Sequence, residues 1–411
     1  MIVIHWILWI SIVAYLITKK RMVDFYTVAI SGFMLYILPS FWGTTWTTQN
    51  LYYDKVYLET YIVIDLISII LFLSVLYNDK KKPRKISESS IRQYPRQLFL
   101  LLGLTSYLLM LIAVYKVGLS VVLADNKSFL NIEIMNPFFS LSIWASLIVL
   151  SYGMISRSRI HFIIPLPIII FTLYLGSRAH FVIAAISIVL IWLSKSGERR
   201  LFKEWKYGLI LMLVGMVTTL YRVIYPFVKR GDYKYILSLL GDKEFYFERI
   251  LVLPHEFYIV FSTLNLSISK KLDLGVEFVF NQIINFFPLL SSAANIPNVK
   301  YSEIIMQHYY QGSRFGMASN IWAEMYSSGG VILVIIFSII WVQIINFFNR
   351  QLIYKSRMSP FFISFGVYVA FYINRLSFSL ALGDIKYILF LLIIFVVIYH
   401  ICLKPYMKPN R

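Results

Sequence analysis

Long apolar runs alternate with short polar links along nearly the whole chain. The runs fall at about 2 to 18, 23 to 41, 58 to 77, 98 to 116, 138 to 156, 161 to 177, 179 to 194, 207 to 225, 321 to 348, 359 to 376 and 386 to 403. A helix needs roughly 20 apolar residues to cross about 30 Å of hydrocarbon, with shorter runs tolerated, so the pattern predicts an all-α integral membrane protein with about 11 transmembrane helices. No internal repeat or Gly/Ser-rich linker divides it, and residues 1–411 read as a single polytopic membrane domain.

One stretch departs from the pattern. Tyr221 to Asn320 is polar and aromatic, and residues 226–320 read as one long extracytoplasmic loop. Within it, Glu244 to Lys271 is apolar enough to suggest a further crossing, but Glu248, Arg249, His255 and Glu256 interrupt it. It reads instead as an amphipathic helix lying in the membrane interface, and Gly275 to Pro288 as a second, stopped by the proline.

The charged links fix an orientation, because short basic loops stay on the cytoplasmic side. Lys19–Arg21, Lys80–Arg96, Arg157–Arg159, Lys195–Lys206, Arg350–Arg357 and Lys404–Arg411 occupy alternate links, so all fall on one side. The amino terminus is then outside and the carboxyl terminus cytoplasmic. Trp42–Tyr57, Gly118–Pro137, the Gly176–His180 turn, the long loop and Leu376–Asp384 face outward.

Composition narrows the class. With 59% hydrophobic and 14% charged residues and a mean hydropathy of +0.71, the chain is too apolar for a soluble domain. Its formal charge of +19 is absorbed by the cytoplasmic links, leaving no basic block for nucleic acid. Cys402 is the single cysteine, so neither an intrachain disulfide nor a cysteine metal cluster is available. Met1 to Thr18 has its basic residues after the apolar run rather than before it, which favours a retained first span over a cleaved signal.

No P-loop, GxGxxG, HExxH or EF-hand pattern is present, which argues against ATP-driven transport, dinucleotide chemistry and thermolysin-like metal chemistry. The informative residues are arginines on the wrong side. Arg178, Arg222, Arg230, Arg249, Arg314 and Arg375 lie outside or at the outer ends of spans, against the topological bias. Such cations are functional candidates, with snorkelling to lipid phosphate as the alternative. A guanidinium binds phosphate oxygens in a planar, bidentate way and keeps its charge, so the group suits pyrophosphate at the membrane surface. The histidines are scattered, and no metal site is expected. His255, Glu256 and Glu324 are the candidate catalytic bases, with Asp232 behind them; an ion pair to an arginine is the alternative role for Glu324.

Several short motifs carry a resemblance. They are the span-ending GSR at Gly176–Arg178, FFPLL at Phe286–Leu290, FGMASNIWAEMYSSGG at Phe315–Gly330 and YINRLSFS around Arg375. Arg314 and Gly330 also stand sixteen positions apart. In these motifs, and in its plan of ten or more spans with one long outer loop in the second half, the chain resembles the Wzy-type O-antigen polymerases. The resemblance implies a GT-C-like, metal-independent glycosyltransferase of the bacterial inner membrane, working at the periplasmic face without a nucleotide sugar or other cofactor. The implied partners are an undecaprenyl-pyrophosphate-linked oligosaccharide donor and acceptor, with a chain-length regulator and a flippase. On this view Arg178, Arg222, Arg314 and Arg375 bind pyrophosphate, and Arg230 and Arg249 are weaker candidates.

Three other classes stay open. An O-antigen ligase shares the plan and the donor, and would use His255 or His308 in the long loop. A lipid-linked-oligosaccharide flippase would line a central cavity with its cations. An assembly subunit would not need so many outward arginines.

Overall fold

Side chains that are apolar over a whole run hold the backbone helical, because a helix satisfies its own peptide groups without water. The computed structural model describes residues 1–19, 21, 23–46, 53–80, 95–123, 136–194, 205–242, 255–294, 296, 299–309, 319–354 and 358–403, and it is almost wholly helical. In chain order the elements begin α1 (Ile2–Thr18), α2 (Phe25–Tyr36), a 3-10 turn (Leu38–Trp42), β1 (Thr44–Trp46), β2 (Tyr53–Lys55) and α3 (Leu58–Lys80). There follow α4 (Arg96–Val117), α5 (Leu119–Leu123), α6 (Pro137–Ser156), α7 (Arg159–Ile163), α8 (Leu166–Tyr174) and α9 (Ala179–Ser194). Next come α10 (Trp205–Arg230), α11 (Tyr233–Gly241), α12 (His255–Ser269), α13 (Val276–Phe286), α14 (Pro288–Ala294) and α15 (Tyr301–Tyr309). The chain then runs through α16 (Ile321–Tyr354), α17 (Ser359–Val367), a π turn (Tyr368–Tyr372), a 3-10 turn (Ile373–Arg375), α18 (Phe378–Ile398) and a last π turn (Tyr399–Leu403).

Among the described residues five helices are long and apolar enough to cross a membrane: Leu58–Lys80, Arg96–Val117, Pro137–Ser156, Ile321–Ile353 and Phe378–Ile401. The chain is a multi-pass membrane protein on that basis. Other runs give shorter apolar helices, and some are not continuous. The run at 23 to 41 is α2 plus the 3-10 turn, 161 to 177 is divided between α7 and α8, and 359 to 376 passes from α17 into π and 3-10 turns. Pro39 and Pro165 stand at the first two divisions, where they withhold a backbone donor.

The core is built around α6, buried on every side over residues 141–153 and surrounded by α4, α7, α8, α9, α17 and α18. Small polar residues allow the close approach: Ser142 Oγ donates to the Ser106 carbonyl at 2.7 Å, and the hydroxyls of Ser151 and Ser364 meet at 2.7 Å. At Gly32 a Cβ would come within 2.9 Å of Phe371 Cα, so glycine is what lets α2 lie against the π turn.

Polar contacts gather at two ends of the bundle. At one, the buried Arg21 pairs with Asp24 (2.8 Å) and Asp79 (2.9 Å), and Asn349 Nδ2 reaches Asp24 at 3.2 Å. Burial disfavours the guanidinium charge, but the two carboxylates outweigh it and raise its pKa further. At the other end the β1–β2 hairpin, start of α3 and α12 are joined through Asn265. Its Oδ1 accepts from Tyr57 N–H (3.0 Å) and Thr60 Oγ1 (2.9 Å), and its Nδ2 donates to the Lys55 carbonyl (3.2 Å).

Two features depart from the sequence expectation. The hairpin, with Thr44 opposite Lys55, is a small antiparallel element in an otherwise helical chain. In addition α12, expected on the membrane surface, is buried over residues 260–265 and packs on α2, α3, α16 and β1. The surface reading rested on Glu248, Arg249, His255 and Glu256, at or before the start of α12; farther along, Ser262, Thr263, Asn265 and Ser267 are all buried and hydrogen-bonded inside the protein. By contrast α13 exposes Val276, Phe280 and Ile283 at helical spacing.

Candidate functional site

The first helical turns of α16 are held by side-chain bonds to three other elements. Asn320 Oδ1 caps the helix, accepting from Trp322 N–H (2.9 Å) and Ala323 N–H (3.2 Å), while its Nδ2 donates to the Val260 carbonyl of α12 (2.9 Å). Trp322 Nε1 donates to Asn374 Oδ1 at 2.8 Å. Two residues on, Glu324 Oε2 accepts the Phe378 N–H that opens α18, at 2.7 Å. Glu324 is fully enclosed at 0% exposure, and among the described residues its second oxygen, Oε1, has no hydrogen-bond partner. The hydroxyls of Ser319 and Ser328 are likewise buried and unpartnered. Three such atoms between Ser319 and Ser328 require an explanation, because each costs desolvation without return.

Just past this piece the helix breaks. Gly329 (φ −163°, ψ 24°) and Gly330 (φ 61°, ψ −156°) leave helical geometry, the latter in a region open essentially to glycine alone. The loop closes on the break: Leu274 N–H donates to the Ser327 carbonyl at 2.8 Å, and the Tyr301 hydroxyl lies 2.6 Å from Ser267 Oγ and 3.3 Å from Ser327 Oγ. Broken helices are tolerated at membrane depth where protein or a cavity receives their backbone groups.

The facing wall is equally irregular. After the π turn and the 3-10 turn, half-buried Arg375 donates from Nη1 to the Tyr372 hydroxyl at 2.5 Å, with its guanidinium carbon 5.4 Å from that ring's centroid. Arg375 is three residues ahead of Phe378, so the bonds of Trp322 to Asn374 and of Glu324 to Phe378 tie the start of α16 to the chain segment that carries Arg375.

Of the residues named from sequence, Glu324 and Arg375 are the two whose chain segments are bonded together. Glu324 takes a backbone N–H rather than the ion pair offered as its alternative; among the described residues it forms none. Arg178 is half-buried in the α8–α9 turn, after Gly176 at φ 84°. Arg230 is exposed at the end of α10. Arg222 lies in α10, and His255 and Glu256 in the first turn of α12, with side chains outside the described residues; Arg249 and Arg314 lie wholly outside them. Asp232 caps α11 by accepting from Tyr235 N–H at 3.2 Å, a structural task.

No family model, curated protein or solved structure matches the chain.

Two clusters escaped the sequence reading. Asp384 on α18 accepts from Trp144 Nε1 at 2.9 Å and from the Tyr368 hydroxyl. At the hairpin end, fully buried His5 places Nδ1 2.6 Å from Asp65 Oδ1 and Nε2 2.8 Å from Ser40 Oγ. That connectivity matches a serine nucleophile relay. Ser40 Oγ donates its own proton to the Ile37 carbonyl at 2.6 Å and so offers none to the imidazole, and the cluster acts as a tie between α1, the 3-10 turn and α3. An ionisable residue inside an apolar run is the signal that finds His5 and Asp65, whereas Asp384 falls in a link between two runs.

Proposed function

We propose that this chain is a multi-pass glycosyltransferase of the bacterial inner membrane that polymerises lipid-pyrophosphate-linked oligosaccharide repeat units, as Wzy-type polymerases do. The observation that carries the reading is the α16 break, where an enclosed carboxyl with one oxygen unpartnered among the described residues is bonded to the chain segment that carries a half-buried arginine. The proposal includes about 11 spans in a GT-C-like arrangement, the amino terminus outside and the site facing the periplasm.

In this reading the terminal hydroxyl of the acceptor unit attacks the anomeric carbon of the donor chain. A new glycosidic C–O bond forms as the C–O bond to the lipid pyrophosphate breaks. The hydroxyl proton passes to Glu324 Oε1, and the departing pyrophosphate is met by Arg375, whose fixed charge matches the charge that develops. Arg178, and the arginines of the loop, extend the same anion site. A chain-length regulator and a flippase would act beside it.

One observation favours a second reading. A helix broken near a buried acid is also how many secondary transporters build a substrate site, which suits a flippase for the same lipid-linked unit. Deleting the gene separates these readings through the surface polysaccharide profile and the extracted lipid-linked glycans. The polymerase reading expects a ladder collapsed to a single repeat on its surface anchor. Single units confined to the cytoplasmic leaflet would favour the flippase, and long polymer stranded on the lipid carrier would favour a ligase.

A further inference from the structure

Arg375 and Arg178 lie on different elements, yet an unbroken series of side chains joins the turns that carry them. The Arg375 guanidinium bonds the Tyr372 hydroxyl at 2.5 Å, and the Tyr372 ring stacks on Tyr368 with centroids 6.0 Å apart at 27°. Tyr368 donates its hydroxyl to Asp384 Oδ2, and Asp384 Oδ1 accepts from Trp144 Nε1 at 2.9 Å. Trp144 meets the Tyr368 ring edge-on at 5.3 Å and His180 edge-on at 6.4 Å. His180 Nδ1 lies 3.3 Å from Ser177 Oγ, which closes the series on the turn that holds Arg178.

Asp384 is the hub of this series. Both of its oxygens are bonded, each to a ring that is almost completely buried, with Tyr368 at 3% and Trp144 at 1% exposure. Among the described residues it has no cationic partner, and a half-buried carboxyl without a counter-ion gives the fold little beyond its two hydrogen bonds. Its bonds fix two aromatic planes, one continuing through Tyr372 to Arg375 and the other touching the start of α9. The π turn that carries Tyr368 and Tyr372 is itself the kind of local irregularity that clusters at functional sites.

We infer that Asp384 is a positioning residue for a pyrophosphate site, setting the separation between Arg375 and the α8–α9 turn that carries Arg178. The inference rests on the reading of these arginines as pyrophosphate ligands. It assigns Asp384 and Tyr368 no contact with the ligand.

The test is calorimetric titration of inorganic pyrophosphate into the purified full chain in lipid nanodiscs, with a melting midpoint recorded for every variant. Arg375→Ala is expected to weaken binding by about tenfold or more, and Tyr368→Phe and Asp384→Ala by roughly fivefold to tenfold. Asp384→Asn keeps an acceptor for Trp144 and offers an N–H to the Tyr368 oxygen, and is expected to restore binding to within about twofold of the unaltered chain. Tyr368→Phe removes one hydroxyl and keeps the argument testable if Asp384→Ala fails to fold. If Arg375→Ala loses binding while Tyr368→Phe and Asp384→Ala bind normally, Asp384 is only structural: the inference falls and the pyrophosphate reading stands. Equal losses in Asp384→Asn and Asp384→Ala also overturn it, because charge rather than geometry would then matter. A chain that does not bind pyrophosphate at all removes the underlying reading, and the inference with it.

Discussion

Asp65 and Glu324 are both carboxylates set in apolar helices, both buried, and both left with one oxygen unpartnered. Their surroundings differ. Asp65 sits in a regular stretch of α3 and has a histidine at 2.6 Å, itself tied to Ser40. Among the described residues Glu324 has one backbone N–H for company, and it lies five residues before a break in its helix. A buried pair that is broken leaves an uncompensated polar group, whereas a buried acid without a pair gives the fold little in return. The first arrangement reads as structure and the second as chemistry.

The largest expected effect tests that division directly. Glu324→Gln retains an oxygen for the Phe378 N–H but cannot take a proton, so chain extension should fall by about 100-fold or more while the melting midpoint barely moves. Repeat-unit transfer in proteoliposomes measures it, and an active glutamine variant would erase the contrast. Asp65→Ala should do the reverse. It strands His5 and should cost about 3–5 kcal/mol of stability, seen as a lowered midpoint and reduced protein level, with transfer per folded molecule preserved.

Gly330→Ala is a smaller perturbation of the same region. Nothing lies within 4 Å of the added Cβ, so its cost is backbone strain at φ 61°, about 1–3 kcal/mol, and the outer piece of α16 should shift enough to slow transfer. Smallest is Ser328→Ala. One turn from Glu324, it deletes a buried hydroxyl that has no partner, so the midpoint should hold or rise by an amount worth about 1 kcal/mol. A clear fall would mean that a water or ion satisfies that hydroxyl.

How far these features were legible in sequence depends on how local their causes are. Glu324 and Arg375 could be named because both stand at the edge of an apolar run, where a charge is visible without any tertiary knowledge. The long helices were visible for the same reason. The His5–Asp65 pair was not, since its members are 60 positions apart and each alone looks like a stray polar residue. Asp384 was hidden likewise, because its partners Trp144 and Tyr368 come from two other helices. The two loop helices are the sharpest case. Phe280 and Ile283 give α13 an exposed apolar stripe that sequence periodicity captures, whereas the polar side chains of α12 mean burial only once the hairpin and α3 are known to receive them.

Asn265 also has a history written into its contacts. Its partners at Tyr57 and Thr60 precede it by 208 and 205 positions. At a synthesis rate of about 5–20 residues per second, the seat they form stands vacant for roughly 10–40 s after it is made. During that interval the nascent amino-terminal segments hold donors meant for a helix not yet translated, and the joint of hairpin and α3 closes only on the arrival of α12.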